Sequence, residues 1–389
     1  MEKKYILSKP RYEILDALRG VAAIIVLVYH FCEVLGGGIT SFHGYLAVDF
    51  FYILSGFVIG YAYDDRWKSA SNPQGMTLWA FFKRRLIRLH PLVIFGTLIG
   101  VLLLYFGMSD ELPQIREAHW PAILACIVFA CIMIPTPHSL DVRGWQEFNS
   151  FNGNSWTLYY EYLANIIYAL VIRRFSKPVL SVFVGAAALL TIAMGLNFDF
   201  WGIMDARPEY QCYTFIGGWS LDPDQLLLGF TRLLFPFFAG LLMSRCLAGK
   251  NVAGKDNHGF LVSSLLLAAV LLVPTLHGLP NGIFEVCCVL IVFPVVVLLG
   301  ARGKVSGRIQ ALCKWLGDIS YPLYITHYPI VFTLCMGWKS NNPTATSDQV
   351  FFVAICGIAL SIMVAWASLK LYDEPVRKWL TEKLQSRRK

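Results

Sequence analysis

Residues 14–35 read ILDALRGVAAIIVLVYHFCEVL, and this stretch decides how the rest of the chain is read. It is 22 residues long and mostly apolar, and about 20 such residues cross the hydrocarbon of a bilayer as a helix. It does not read as a cleaved leader. Asp16 and Arg19 lie inside it, it runs on through Tyr29-His30, and it ends in Gly36-Gly37-Gly38 without a small-residue cleavage site. The stretch is therefore a retained first membrane helix. Arg19 and His30 are 11 positions apart, so both return to one helical face, separated along the axis by roughly 16 Å. Spacing alone leaves two readings: a snorkelling arginine and a capping histidine, or two groups lining one path.

The remaining sequence fits a membrane setting. Of the 389 residues 56% are hydrophobic and only 15% charged, with a mean hydropathy of +0.56. Soluble domains carry nearer a quarter charged residues. Apolar runs lie near 14–36, 44–63, 88–107, 119–135, 156–172, 178–196, 228–246, 259–276, 283–300, 319–338 and 350–371. The run at 119–135 is bracketed by Pro121 and Pro135 and suits a re-entrant or interfacial piece. The other ten give a polytopic all-α bundle with both termini cytoplasmic. In that layout 28 of the 33 Lys and Arg fall in cytoplasmic segments, and only Arg116, Arg143, Arg207, Arg232 and Lys339 lie outside or at the outer edge. The net charge of +8 is thus a topology signal, not a nucleic-acid footprint. Short connectors predict one membrane domain over 1–389 with no appended soluble domain. Cys32, Cys126, Cys131, Cys287, Cys288, Cys335 and Cys356 sit in or beside apolar runs, and no Cys/His ligand spacing occurs, so no metal is expected.

Ionisable groups at membrane depth are expensive and mark function or tight pairing. Besides Arg19 and His30 they include Asp49 and, with a hydroxyl, Ser55 on the second helix; Glu161 early in the run beginning Trp156; and His327, one turn beyond Tyr324. Arg84, Arg85 and Arg88 share a helical face, suited either to anionic lipid heads or to a phosphate-rich ligand.

Taken in order, these segments resemble the acyltransferase-3 family of membrane acyltransferases. The resemblance rests on Leu18-Arg19-Gly20 with His30, the stretch Gly44–Phe57, Arg85-x-x-Arg88 and Trp156-Thr157-Leu158-x-x-Glu161. It is completed by Ser320-Tyr321-Pro322-Leu323-Tyr324-x-x-His327 and Asp373-Glu374-Pro375-x-Arg377. Departures are a single Glu161 where many members have two adjacent acids, Thr157 in place of Ser, and His90-Pro91 after the arginines. The resemblance implies an acyl-CoA donor, most simply acetyl-CoA, bound from the cytoplasm by Arg85, Arg88 and Arg19. It also implies an acceptor hydroxyl on an extracytoplasmic carbohydrate such as a cell-surface polysaccharide or lipopolysaccharide, and a bacterial inner-membrane location. An acyl thioester is already activated, so the missing element is a base for the hydroxyl, and histidine is suited to that task. His30 is expected as that base or as a transient acyl carrier, with Asp49 or Glu161 fixing its tautomer. His327, Tyr324 and Ser55 are expected to support the site. The rival reading is a proton-coupled transporter or flippase using Asp49, Glu161, His30 and His327 as a relay. Trp145, Trp201, Trp219, Asp199, Asp222 and Asp224 in the outer connectors are candidate sugar-facing groups.

Overall fold

The computed structural model describes residues 11–38, 41–68, 72–105, 113–199, 202–203, 207–248 and 258–386. Lys3, Lys4, Lys9, Lys250, Lys255, Arg387, Arg388 and Lys389 of the basic set, and Trp201, lie outside the described residues. The opening stretch forms α1 (Glu13–Cys32), continued by one wide turn over Glu33–Gly37. Then come α2 (Ala47–Tyr63), α3 (Leu78–Tyr105), the short α4 (Pro113–Glu117), α5 (Trp120–Ile132), α6 (Trp156–Leu170), α7 (Lys177–Gly195), α8 (Pro223–Leu247) and α9 (His258–Leu271). The last third holds α10 (Leu279–Cys287), α11 (Phe293–Arg302), α12 (Gly307–Ile330), α13 (Met336–Asn341), α14 (Ser347–Ala367) and α15 (Glu374–Ser386). Wide turns at Cys288–Val292, Val331–Cys335 and Ser368–Asp373 join α10 to α11, α12 to α13 and α14 to α15 without a break. Such turns are rare in helices and occur mostly at functional sites. Among the described residues the fold is all-helical.

Seven of these helical stretches are long and apolar enough to cross a membrane, against the ten expected. The other three expected spans are helical but shorter or more polar. α6 has 15 residues and α9 has 14, while the first half of α12 carries Arg308, Gln310, Lys314 and Asp318. At 13 residues α5 rises only about 20 Å, short of a full crossing. Two expected boundaries are corrected. α3 begins at Leu78, ten residues before the expected start, and α12 at Gly307, twelve residues early. Their basic residues suggest connectors, yet Lys and Arg are good helix formers and let a helix run past its apolar segment. Local signals set other ends: Ser176 caps α7 through Val179 N, and Thr346 with Gln349 forms a capping box on α14.

Lipid tails are as apolar as leucine, so helices in a bilayer associate through close packing and not through hydrophobic exclusion. The two most extensive helix pairings, α1 with α12 and α2 with α8, are both built on glycine. Gly56 of α2 lies against the Phe237 carbonyl of α8, and Gly240 of α8 against the Ile53 carbonyl of α2; a Cβ at either would strike backbone. Gly20 and Gly317 make the same reciprocal contact between α1 and α12. These crossings bring α1, α2 and α12, which carry most of the candidate residues, to one axis.

Gly56→Val is expected to abolish folded, monodisperse protein in detergent, because the backbone it meets cannot yield. Gly185→Val, where nothing lies within 4 Å, should leave the yield unchanged; size-exclusion profiles of the two variants check this.

Candidate active site

α1 enters two separate chambers. Its cytoplasm-proximal residue Arg19, in the expected layout, lines a cavity of about 170 Å3 together with Arg85 and Arg88 of α3. Arg11 and Arg377 bring the guanidinium groups lining it to five, and Ser55, Glu161 and Tyr324 line it too. Several of the charges are matched. Arg85 Nη2 is 2.8 Å from Glu161 Oε1, which also accepts from Ser55 Oγ at 2.9 Å. Asp16 holds Arg11 at 3.2 Å and Arg19 at 3.5 Å, and Asp373 holds Arg377 at 2.6 Å. Arg88 makes no ion pair among the described residues. A guanidinium without a carboxylate partner, among four others, favours a multiply charged anion.

His30, on the same face of α1, lines a second cavity of about 190 Å3. Its Nδ1 lies 2.8 Å from Glu33 Oε2. A carboxylate accepts, so Nδ1 carries the proton and Nε2 is left as a lone pair. Tyr328 and Phe332 stand edge-on to the imidazole, at ring-centre distances of 5.7 and 5.5 Å. His327 is tilted beside it at 5.3 Å; its Nδ1 donates to the Leu323 carbonyl at 2.7 Å, and its buried Nε2 has no hydrogen-bond partner.

The expected partnership of His30 with Asp49 or Glu161 does not occur. Asp49 is 1% exposed and pairs with the equally buried Arg232 of α8, Oδ2 to Nη2 at 2.8 Å, while Glu161 belongs to the arginine chamber. The partner is instead one turn further along α1, at the start of its wide turn. His30-x-x-Glu33 is an i,i+3 spacing legible in the sequence.

The outer connector supplies the other groups that sequence reasoning missed. Glu147 lines the His30 chamber, accepts from the Tyr328 hydroxyl at 3.2 Å and pairs with Arg143, which stacks over Trp145 at 4.4 Å. Burial raises the Glu147 carboxyl above the usual carboxylate range, and Arg143 opposes that rise. Of the sugar-facing candidates, Trp145 and Trp219 line the chamber and Trp156 joins them. Asp199, Asp222 and Asp224 do not line it: they accept from Ile203 N, Ser220 Oγ and Gln225 Nε2.

Only a thin wall separates the chambers. Val48 lines both. Asn154, on the His30 side, donates from Nδ2 to the Tyr324 carbonyl at 2.9 Å and accepts from the Tyr324 hydroxyl on its own carbonyl at 3.2 Å. The Tyr324 hydroxyl also lies 2.8 Å from Thr157 Oγ1, and both residues face the arginine chamber. The wall is the turn over residues 153–157 that leads into α6, bonded to one turn of α12. The arrangement offers an anion cradle, a base with a free lone pair, and a short barrier between them.

Both chambers lie inside a helical membrane bundle. The chain belongs to the acyltransferase-3 family, whose acyltransferase domain matches residues 12–367, and it is a multi-pass membrane protein. It is 30% identical to protein 2 in the picA locus of Rhizobium radiobacter over 166 residues, 41% of this chain and 81% of that one. Along 97% of its length it is similar to two curated acetyltransferases. It is 21% identical to the peptidoglycan O-acetyltransferase OatA of Listeria monocytogenes and 25% identical to the O-acetyltransferase OatA of Staphylococcus aureus. The chain spans 56% and 59% of the length of these two proteins. No solved structure matches it significantly.

Removing one partner of a buried ion pair strands the other, at about 3–5 kcal/mol. Asp49→Asn is therefore expected to lower the thermal midpoint in detergent by several degrees, and the charge-free pair Asp49→Leu with Arg232→Met to recover part of the loss.

Proposed function

We propose that the protein transfers an acyl group, most simply acetyl, from acyl-CoA at the cytoplasmic face of the bacterial inner membrane to a carbohydrate hydroxyl on the outer side. The observation that carries this reading is the pairing of a guanidinium-lined chamber with a second chamber holding the free Nε2 of His30, across a wall one turn thick. Arg19, Arg85 and Arg88, with Arg11 and Arg377, hold the phosphates of CoA. The pantetheine arm reaches through the wall past Val48 and Tyr324. His30 Nε2 takes the proton of the acceptor hydroxyl as its oxygen attacks the thioester carbonyl. The carbon–sulfur bond then breaks, and the imidazolium returns the proton to the leaving thiolate. Glu33 holds the tautomer and stabilises the imidazolium, the task expected of Asp49 or Glu161. A transient acyl group on Nε2 uses the same lone pair.

The acceptor class follows from the tryptophans around the chamber and from the peptidoglycan named for one relative. Trp145, Trp156 and Trp219 offer flat apolar faces to sugar rings, and Glu147 accepts from hydroxyls. For orientation, α6, α9 and the second half of α12 join the seven long helices to make ten crossings, with α5 re-entrant and both termini cytoplasmic. The distribution of Lys and Arg supports this. The transporter reading is weaker, because ion pairs with Arg232 and Arg85 remove Asp49 and Glu161 from any proton relay with His30.

His30→Ala is expected to reduce transfer of label from acetyl-CoA by about 10²- to 10⁴-fold in membranes with normal expression. Retained full activity overturns the assignment of the base. Arg85→Gln with Arg88→Gln should raise the KM for acetyl-CoA and leave that for the acceptor unchanged, and equal changes in both would mark the arginines as structural. In intact cells an impermeant thiol reagent should label Ser139→Cys and not Arg174→Cys above the native background; the reverse pattern, Arg174→Cys labelled and Ser139→Cys protected, places α5 as a full crossing.

A further inference from the structure

A second ionic cluster lies beside the His30 chamber, and its ionisable pair, His43 and Glu285, lies outside every motif that carries the family resemblance. His43, just before α2, and Glu285, in α10, are both 0% exposed, with His43 Nε2 and Glu285 Oε1 3.9 Å apart. Asn281 stands between them. Its Nδ2 faces two obligate acceptors, the Tyr213 carbonyl at 2.9 Å and Glu285 Oε1 at 2.5 Å. Its Oδ1 accepts from Leu276 N at 3.1 Å, so both ends of the amide are oriented independently of the histidine. That same Oδ1 lies 2.9 Å from His43 Nε2, and the other ring nitrogen lies 2.8 Å from the Val273 carbonyl. Both ring nitrogens therefore face acceptors and both must donate, which makes His43 an imidazolium. Glu285 in turn receives the hydroxyls of Tyr45 at 2.5 Å and Thr214 at 2.7 Å, besides Asn281, on Oε1, and Phe215 N at 2.6 Å on Oε2. It is surrounded by donors, as an ionised carboxylate requires. The result is a fully desolvated ion pair relayed through an amide.

Hydrophobic side chains would fill this volume at less risk, because a buried pair stabilises only when every hydrogen bond is satisfied. What the cluster does instead is join four segments distant in sequence: the approach to α2, the end of α9, α10, and the loop holding Tyr213–Phe215. That loop goes directly into the chamber wall, since Ile216 and Trp219 line the cavity, as does Tyr45. Its next residues are pinned by separate bonds, Gly217 O to Arg232 Nη1 at 3.0 Å and Gly218 N to Gln225 Oε1 at 2.8 Å. Gly217 and Gly218 take φ of +132° and +101°, a backbone path that other residues rarely follow. The loop therefore turns sharply between its anchor on Glu285 and Trp219.

We propose that Glu285, charged and held by His43 through Asn281, is a positioning residue: it sets segment 213–219 so that Ile216 and Trp219 form the acceptor-facing wall of the His30 chamber. This rests on the proposed function only in naming the acceptor; the positioning of the segment stands without it.

Glu285→Gln tests it in the full-length protein in nanodiscs. Glutamine cannot accept from Phe215 N and Asn281 Nδ2 together through carboxylate oxygens, so one donor loses its partner. Hydrogen exchange is expected to accelerate about tenfold or more in peptides spanning 213–219 and to stay unchanged in α3 around Arg85–Arg88. With soluble glycan-strand fragments of peptidoglycan as acceptor, the acceptor KM should rise about tenfold, while hydrolysis of labelled acetyl-CoA without acceptor and the KM for acetyl-CoA stay at wild-type values. Glu285→Asp, which keeps the charge, should restore part of the acceptor KM. Unchanged exchange over 213–219 overturns the inference, as does a uniform rise in exchange across all helices, which marks Glu285 as a general stability element. If the wild type transfers nothing to the fragments, the acceptor reading fails, and the exchange measurement still decides the positioning role.

Discussion

A guanidinium removed from water must find an acceptor for each of its N–H groups, and Arg232 meets that demand by drawing three parts of the chain together. It pairs with Asp49 of α2, donates to the Tyr45 carbonyl at 2.8 Å and the Gly217 carbonyl at 3.0 Å, and stacks over Trp156 at 5.2 Å. The packing that makes this possible is the glycine crossing of α2 on α8, which sets the two backbones close enough for Asp49 to reach across. Remove the crossing and the pair separates; remove the pair and a bare charge is left in an apolar bundle. The His30 chamber is therefore walled on one side by groups whose positions follow from electrostatic necessity. Rigid groups of this kind hold a reacting hydroxyl better than mobile surface loops.

Charge pairing also sorts the candidate acids. Asp49 and Glu161 are each held by an arginine, at 2.8 Å in both cases, and neither faces the imidazole. The acid that does, Glu33, sits where α1 widens into its last turn, a place that rotates side chains relative to the regular helix. The outer connector adds Glu147 and Arg143 to the same chamber. The surroundings of the imidazole are thus assembled from one helix end and one loop around a scaffold of paired charges.

Much of the architecture was legible from apolar periodicity. The short run ending before Pro135, the separation of Arg19 from His30, and the grouping of Arg85 with Arg88 all follow from spacing and hydropathy, because a helix converts sequence separation directly into position; Glu161 joins the arginines only through packing, 76 residues away from Arg85. Arg232 entered the sequence reading only as one of the five basic residues outside or at the outer edge, because its partner lies 183 residues away in sequence. Glu147 and Arg143 were passed over because a connector has no period that predicts which way a side chain turns. His43 escaped for the same reason; Glu285, a carboxylate in the apolar run 283–300, was a legible signal of pairing, but its partners appear only once α10 is packed near the start of α2. Glu33 was visible at i,i+3 from His30 within the expected first helix, but the acids expected as partners lay on other helices.

The wall of Asn154, Thr157 and Tyr324 has an electrical meaning. In the proposed orientation two water-filled cups open on opposite faces and meet at one hydrogen-bonded turn, so most of the transmembrane voltage falls across those few residues. A full charge crossing it would gain or lose about 2.3 kcal/mol per 100 mV. An acyl group on a thioester carries no charge. In the proposed reaction the phosphates would stay behind with the arginines, the neutral acyl carbon would pass through the field unaffected, and the bilayer would keep its resistance to ions while a covalent bond is made on its far side.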